Sequence, residues 1–288
     1  MASGLYSQHL NNRKLYYIRQ VILVAFLVLF AVVSLFPIVY MIAWSFGPAI
    51  ESASTSYSIF PKVWTLDSYK AFIDYNQYSL RWLLNSLVVA VFTVIGNVIF
   101  AGLAGYAFAK INFRGRNVLF FMVLVAMMIP YQVTQVPLYI LIVKQFKMTN
   151  TFAALILPSI CTSYNIFLSK QFFSSIPTAL IESAKIEGCG QFKTYWLIVL
   201  PLSKTILAVM AINTFLSSWN NFFWPFLVTS VDKMFTIQVG LKTFKFANGT
   251  LLSPMMAGAC ISAIPMFILF FSLQKYFLEG VTVGAVKG

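Results

Sequence analysis

A chain of 288 residues that is 60% hydrophobic and 9% charged, with mean hydropathy +0.83, carries too little charge to cover a soluble globule and is a multispan membrane protein. That length holds about six spans of ~20 residues with their loops, so residues 1–288 read as one membrane domain with no separate soluble one. The net charge of +13 would suggest nucleic acid in a soluble protein, but in a membrane chain it is a matter of loop distribution and implies no nucleic-acid partner.

Residues 1–19 form a polar, basic tail, and the apolar run over 20–46 is a first span. The run is too long for the apolar part of a signal peptide and offers no convincing small-residue cleavage site, so it reads as retained. From Gly47 to Arg81 an amphipathic outer loop carries acids and bases that cancel. The second span, 82–109, places the small residues Ala101, Gly105 and Ala109 on one face for close helix packing. A basic loop with Lys110, Arg114 and Arg116 leads to a third span, 117–139, which Pro130 and Pro137 break toward its far end. Gln132 and Gln135 beside these prolines either line a polar path or mark the membrane interface. The fourth span, 151–173, is kinked near Pro158 and contains Asn165.

Residues 175–201 are different in kind: a polar, helix-forming segment between apolar runs, suited to dock something soluble. Ile176-Pro177-Thr178 starts a helix with Glu182 in its next turn, where a carboxylate suits the helix dipole. Gly188 and Gly190 end it, with Gly188 expected in a sharp, closely packed turn; a second short helix, Phe192 to Leu200, follows and Pro201 closes it. Gly188 to Thr194 imitates a phosphate loop, but Phe192 stands where that motif needs glycine and no strand precedes, so the chain itself should bind no nucleotide.

The fifth span, 204–229, is the most polar. Asn213, Ser217 and Asn220 follow i, i+4, i+7 spacing and share a helix face. With Asn221, and with Trp219 or Phe223 as a stacking surface, they are candidates to line a solute path, although such residues also serve as glue between helices. An outer loop, a last span over 255–277 with Pro265, and a polar tail, 278–288, complete the chain. Cys161, Cys189 and Cys260 lack CxxC spacing and His9 is the only histidine, so neither a disulfide framework, a metal site nor a histidine-based acid/base centre is expected. With the amino terminus inside, the inner segments hold twelve of the 20 basic residues and the outer loops four of the seven acids, which favours that orientation.

Glu182-Ser183-Ala184, Glu187-Gly188, Tyr195, Ile198 and Leu200-Pro201 resemble the EAA loop of ABC importer permeases. Three residues separate Ala184 from Gly188 and nine separate Gly188 from Ile198, as in that motif; Ser183 replaces its first alanine and Glu187 its usual aspartate. Phe60-Pro61 through Ser68-Tyr69 and the tail from Gly284 to Gly288 are similar to the MalG-type carbohydrate permease family. The resemblance implies an all-α fold of about six transmembrane helices, the type I ABC importer transmembrane domain, in a prokaryotic cytoplasmic membrane. It implies a permease subunit rather than an enzyme, with Glu182, Ser183, Ala184, Glu187, Gly188, Tyr195, Ile198 and Pro201 coupling to the ATPase. The implied partners are a second, MalF-type permease subunit, two ABC ATPase subunits that bind the ATP and Mg, an extracytoplasmic solute-binding protein and a carbohydrate substrate; the chain itself would hold no cofactor. The alternative is an ion-coupled secondary transporter or channel, a class that usually carries ionisable groups within its spans, where this chain has no acid and only Lys170, Lys204 and Lys275 near span ends.

Overall fold

The computed structural model describes residues 2–49, 58–246 and 249–285, and the chain divides into two compact units. The first takes in residues 1–72 and 246–260, the second residues 73–245 and 261–288.

In the first unit, helix α1, Ala2–Ser45, runs through Pro37. It begins well before the apolar run, so the expected tail over 1–19 is largely helical. Its apolar stretch Tyr16–Ser45 is 30 residues long, more than the ~20 that cross a hydrocarbon core, and its side chains stay uncovered from Tyr16 to Val39, while Ala43 and Ser45 near its end are buried. The chain after it folds back onto the end of α1. Ser68 Oγ donates to Gly47 O at 2.6 Å, the Thr65 N–H to Phe46 O at 2.7 Å, and the Ser45 and Tyr69 hydroxyls lie 2.9 Å apart. Tyr69 belongs to the short helix α2, Asp67–Asp74.

In the second unit the central element is α3, Ser79–Lys110, one continuous helix containing a π-helical segment at Asn97–Ala101. A Cβ at Gly105 would overlap Ser169 and one at Gly96 would overlap Ile160, so these glycines set how closely the fourth span approaches. The third span is a bent pair, α4 (Arg116–Met128) and α5 (Tyr131–Gln145), meeting at 98°. The expected span over 117–139 therefore ends too early and is not one rod. Pro130 supplies no N–H and forces Ile129 into an extended conformation, and that breaks the helix. Gln135 is buried in α5 with no hydrogen-bond partner for its amide among the described residues, whereas Gln132 is exposed.

The fourth span is also bent, α6 (Phe152–Ser159) meeting α7 (Ser163–Ser174) at 43°, just after Pro158. Two helices of the polar segment 175–201 follow, α8 (Thr178–Ile186) and α9 (Gln191–Leu202), and then α10 (Lys204–Trp219). The expected fifth span over 204–229 is interrupted: α10 stops at Trp219 and α11, Phe223–Val228, starts afresh. Pro225 cannot donate to the carbonyl of Asn221, and Asn221 Oδ1 instead accepts the Trp224 N–H at 3.2 Å.

The segment after α11 is pinned to the start of α3 by Trp82 Nε1 to Asp232 O at 2.8 Å and Asn85 Nδ2 to Lys233 O and Phe235 O, both at 2.9 Å. It contains a short helix, α12 (Ile237–Lys242), and the two-residue strands Lys245–Phe246 and Gly249–Thr250 follow. Helix α13, Leu252–Ala285, carries the last apolar stretch and runs on through most of the expected tail; residues 286–288 lie outside the described residues. Among the described residues three helices are long and apolar enough to cross a bilayer, or up to six if each bent pair is one span.

Candidate docking loop and polar cavity

Helix α8 is built by local chemistry. Pro177 sets the extended entry, and the helix closes with the Gly188 N–H on Lys185 O at 3.0 Å and the Cys189 N–H on Ala184 O at 2.8 Å. Those two bonds make a Schellman turn, whose left-handed residue is Gly188 at φ +80°. Nothing lies within 4 Å of a Cβ added at Gly188, which corrects the expectation of a closely packed turn: glycine is required there by backbone conformation alone.

One face of α8 is spent on the chain's own core. Ile181 and Ala184 are buried in or beside the apolar cluster that holds Tyr106, Phe173, Tyr195 and Val199. The other face is open, with Glu182, Ser183, Lys185 and Glu187 exposed and Ile186 88% exposed. Helix α9 is anchored by Tyr195, whose ring is buried 5.4 Å from that of Tyr106 and 6.3 Å from that of Phe173, while its hydroxyl reaches the space left by Gly102. Tyr195 begins a π-helical stretch through Val199, in which the Leu200 N–H reaches back to Tyr195 O. Pro201, exposed one residue later, has no N–H for the carbonyl of Leu197, a gap that suits the wider turn. Ile198 is half-buried. Two further bonds tie the segment to α3: Lys110 Nζ to Ile176 O, and the Tyr106 hydroxyl to Gln191 Oε1 at 3.0 Å. The eight expected coupling residues thus fall into an inward group that seats the helices and an outward group left open.

The second feature is a polar cavity of about 180 Å³ where the break in the fourth span meets α10. On one side stand Thr93, Ser159, Thr162 and Asn165; on the other Asn213, Thr214, Ser217 and Ser218, with Tyr164 at the break itself. Asn97, fully buried in the π-helical part of α3, organises the first side. Its Oδ1 accepts from the Thr162 N–H at 2.9 Å, the Thr162 hydroxyl at 3.0 Å and Asn165 Nδ2 at 2.9 Å, and its Nδ2 donates to Ser159 O. Asn165 Nδ2 also donates to Thr214 Oγ1 at 2.8 Å.

Of the expected path residues, Asn213 and Ser217 line this cavity and the others do not. Asn220 lies past the end of α10, exposed; Asn221 caps α11; Phe223 is 51% exposed on α11. Trp219 offers no stacking face, since its ring is buried against Phe215 at 5.4 Å and its Nε1 donates to Ser262 O at 3.1 Å. Tyr164, 48% exposed, is the aromatic residue at the cavity. Asn97, Thr162 and Tyr164 were not among the expected residues; the available signal was a lone asparagine in the apolar run Val94 to Phe100 and a second, Asn165, downstream of Pro158.

Comparisons with known proteins agree with this architecture. The sequence profile of the binding-protein-dependent transport system inner membrane component matches residues 97–283. The chain is 35% identical over 260 residues to the arabinooligosaccharides transport system permease protein AraQ of Halalkalibacterium halodurans, covering 90% of this chain and 93% of that one. It is 33% identical to AraQ of Bacillus subtilis, covering 93% and 96%, and 33% identical to the sn-glycerol-3-phosphate transport system permease protein UgpE of Yersinia pestis, covering 69% and 71%. Its fold matches a chain of a bacterial ABC transporter involved in the import of the acidic polysaccharide alginate, with TM-score 0.80 and 23% identity over 90% of this chain and 96% of that one. The chain belongs to the family of binding-protein-dependent transport system inner membrane components, the permease subunits of ABC importers.

Proposed function

We propose that this chain is a carbohydrate permease of the prokaryotic cytoplasmic membrane. It forms a translocation path with a second, related permease and receives its solute from an extracytoplasmic binding protein. Two ATPase subunits, which carry the ATP and Mg, drive it, and α8 docks in a cleft on one of them. The observation that carries this reading is the two-faced docking segment: Ile181, Ala184 and Tyr195 bury its inner side, while Glu182, Ser183, Ile186 and Glu187 stand open on the other. Both termini and this segment face the cytoplasm.

A rival ion-coupled mechanism needs a titratable group held inside the membrane domain. Among the described residues no Asp, Glu, His, Lys or Arg is buried; the buried polar groups are serines, threonines, asparagines and a glutamine, with the hydroxyls of Tyr106 and Tyr195. The test is uptake into proteoliposomes containing the chain with its partner permease, ATPases and binding protein. Uptake of an oligosaccharide should require ATP inside and persist when proton and sodium gradients are collapsed. Uptake driven by either gradient without ATP would refute the proposal.

A further inference from the structure

The loop between α3 and α4 carries positive charge that the chain does not answer. Between Asp74 and Glu182 the sequence has no acid, yet Lys110, Arg114 and Arg116 crowd into this one turn. Lys110 is spent on the chain itself, its Nζ donating to Ile176 O. Arg116 is half-buried and held: its Nη1 donates to Asn112 Oδ1 at 2.9 Å and to Ile111 O at 3.4 Å, neutral acceptors that fix the guanidinium and leave its charge unpaired. Arg114 is exposed and makes no hydrogen bond or ion pair among the described residues. An aromatic cluster seats the loop, with Phe113 against Phe108 at 5.9 Å and Phe108 against Phe120 at 5.5 Å between ring centres. Lys170 brings a further positive charge to that cluster, its Nζ 4.8 Å from the centre of the Phe120 ring.

Asn112, Phe113, Gly115, Arg116, Asn117 and Val118 line a concavity of about 350 Å³ on this loop. An apolar stripe leads away from it. No residue of α4 is buried, and Val118, Phe121, Met122 and Val125 follow i, i+3, i+4, i+7 spacing, so they share one open helix face that starts at the concavity.

Depth and chemistry together select the partner. The loop joins the ends of two elements long and apolar enough to cross a bilayer, which puts it at the level of the lipid headgroups. A guanidinium suits a phosphate, and basic residues at this level attract anionic lipids. A free phosphate or a soluble acidic protein would use the arginines and leave the stripe bare. A zwitterionic lipid would cover the stripe but bring an ammonium toward the arginines.

We propose that this loop and the first turns of α4 bind one anionic phospholipid of the cytoplasmic leaflet, its phosphate held by Arg114, Arg116 and Asn117 and its acyl chains laid along Val118, Phe121, Met122 and Val125. The leaflet follows from the orientation given above. The site itself depends neither on the transported solute nor on ATP.

The test uses the complete complex in nanodiscs of equal parts phosphatidylglycerol and phosphatidylcholine, so that both leaflets offer both lipids. A benzophenone amino acid replaces the exposed Val118, and its adducts after irradiation are identified by mass spectrometry. Phosphatidylglycerol adducts should exceed phosphatidylcholine adducts at least ~10-fold, given a gain of about five-fold for each arginine near an anionic surface. The same amino acid at Phe30, exposed in the uncharged stretch of α1, should show no preference. Arg114→Gln should lower the ratio about five-fold with normal yield of complex, since that side chain holds nothing else in the chain. The double variant Arg114→Gln with Arg116→Gln should abolish the preference, and Arg114→Lys should keep most of it. Equal adducts of the two lipids in wild type, an unchanged ratio in the glutamine variants, or adducts to a partner subunit in place of lipid would overturn the site. So would displacement of phosphatidylglycerol by millimolar inorganic phosphate, because the acyl chains would then contribute nothing. Each of these outcomes leaves ATP-driven uptake to its own measurement.

Discussion

Asn97 Oδ1 accepts the backbone N–H of Thr162 at 2.9 Å, while Asn97 Nδ2 donates to the carbonyl of Ser159 on the other side of the same break. One buried amide on α3 thus supplies both halves of the bent fourth span with the partners that the break took away. Non-helical backbone at membrane depth persists only where something else satisfies it.

Replacing Asn97 by leucine keeps the bulk and strands the Thr162 N–H, the Ser159 carbonyl and the Asn165 amide. Each buried group left unpaired costs about 1–3 kcal/mol. Thermal unfolding of the purified complex should shift down by several degrees, whereas Ser174→Ala, which removes an exposed back-bond, should leave it within ~0.5 kcal/mol. Equal midpoints for the two variants would mean that Asn97 does not hold the break.

Gly188 offers a way to separate conformation from packing. With φ at +80° and open space around it, asparagine should be tolerated there and valine should not, since asparagine enters the left-handed region at small cost and β-branched residues do not. Gly188→Asn should keep most coupled uptake and Gly188→Val should lose most of it. If the two variants behave alike, the turn is not what limits the loop.

Topology is open to labelling from outside the cell in a background without Cys161, Cys189 and Cys260. A membrane-impermeant thiol reagent should reach a cysteine at Trp64, 60% exposed in the loop after the first span, and should miss one at Gly115, in the basic loop before α4. The reverse pattern would place the docking segment on the wrong side of the membrane for ATP.

The helices of residues 175–201 were legible because their structure is local: Pro177 opens α8 and Gly188 turns it, each through its own backbone, whereas Pro201 was expected to close α9 and instead sits inside it, one residue before its end at Leu202. The apolar runs were legible too, but not their breaks as geometry: Pro130 announces an interruption and does not state a 98° bend. The cavity was half legible. Helical spacing correctly put Asn213 and Ser217 on one face, yet it cannot tell where α10 ends, and so Asn220 was counted with them. Nor can spacing say which neighbour a face meets. Trp219 went to Phe215 and the Ser262 carbonyl, while Tyr164, far away in sequence, came to the cavity. Asn97 escaped notice because an isolated asparagine in a span reads equally as helix glue, and its role is set by a helix break more than 60 residues later.

The ratio of ATP hydrolysed to saccharide imported, measured in proteoliposomes carrying Glu182→Lys, bears most directly on the central claim that α8 couples the ATPase to this membrane domain. Glu182 is exposed on the open face of α8 and has no role in the chain's own core, so the chain should fold and insert normally. Reversing a charge at a docked contact costs more than ~1 kcal/mol. Uptake per ATP should fall at least several-fold, or the ATPase should co-purify poorly, while Lys185→Ala and Lys193→Ala remain close to wild type. A Glu182→Lys complex with wild-type ATPase binding and a wild-type ratio would contradict the account.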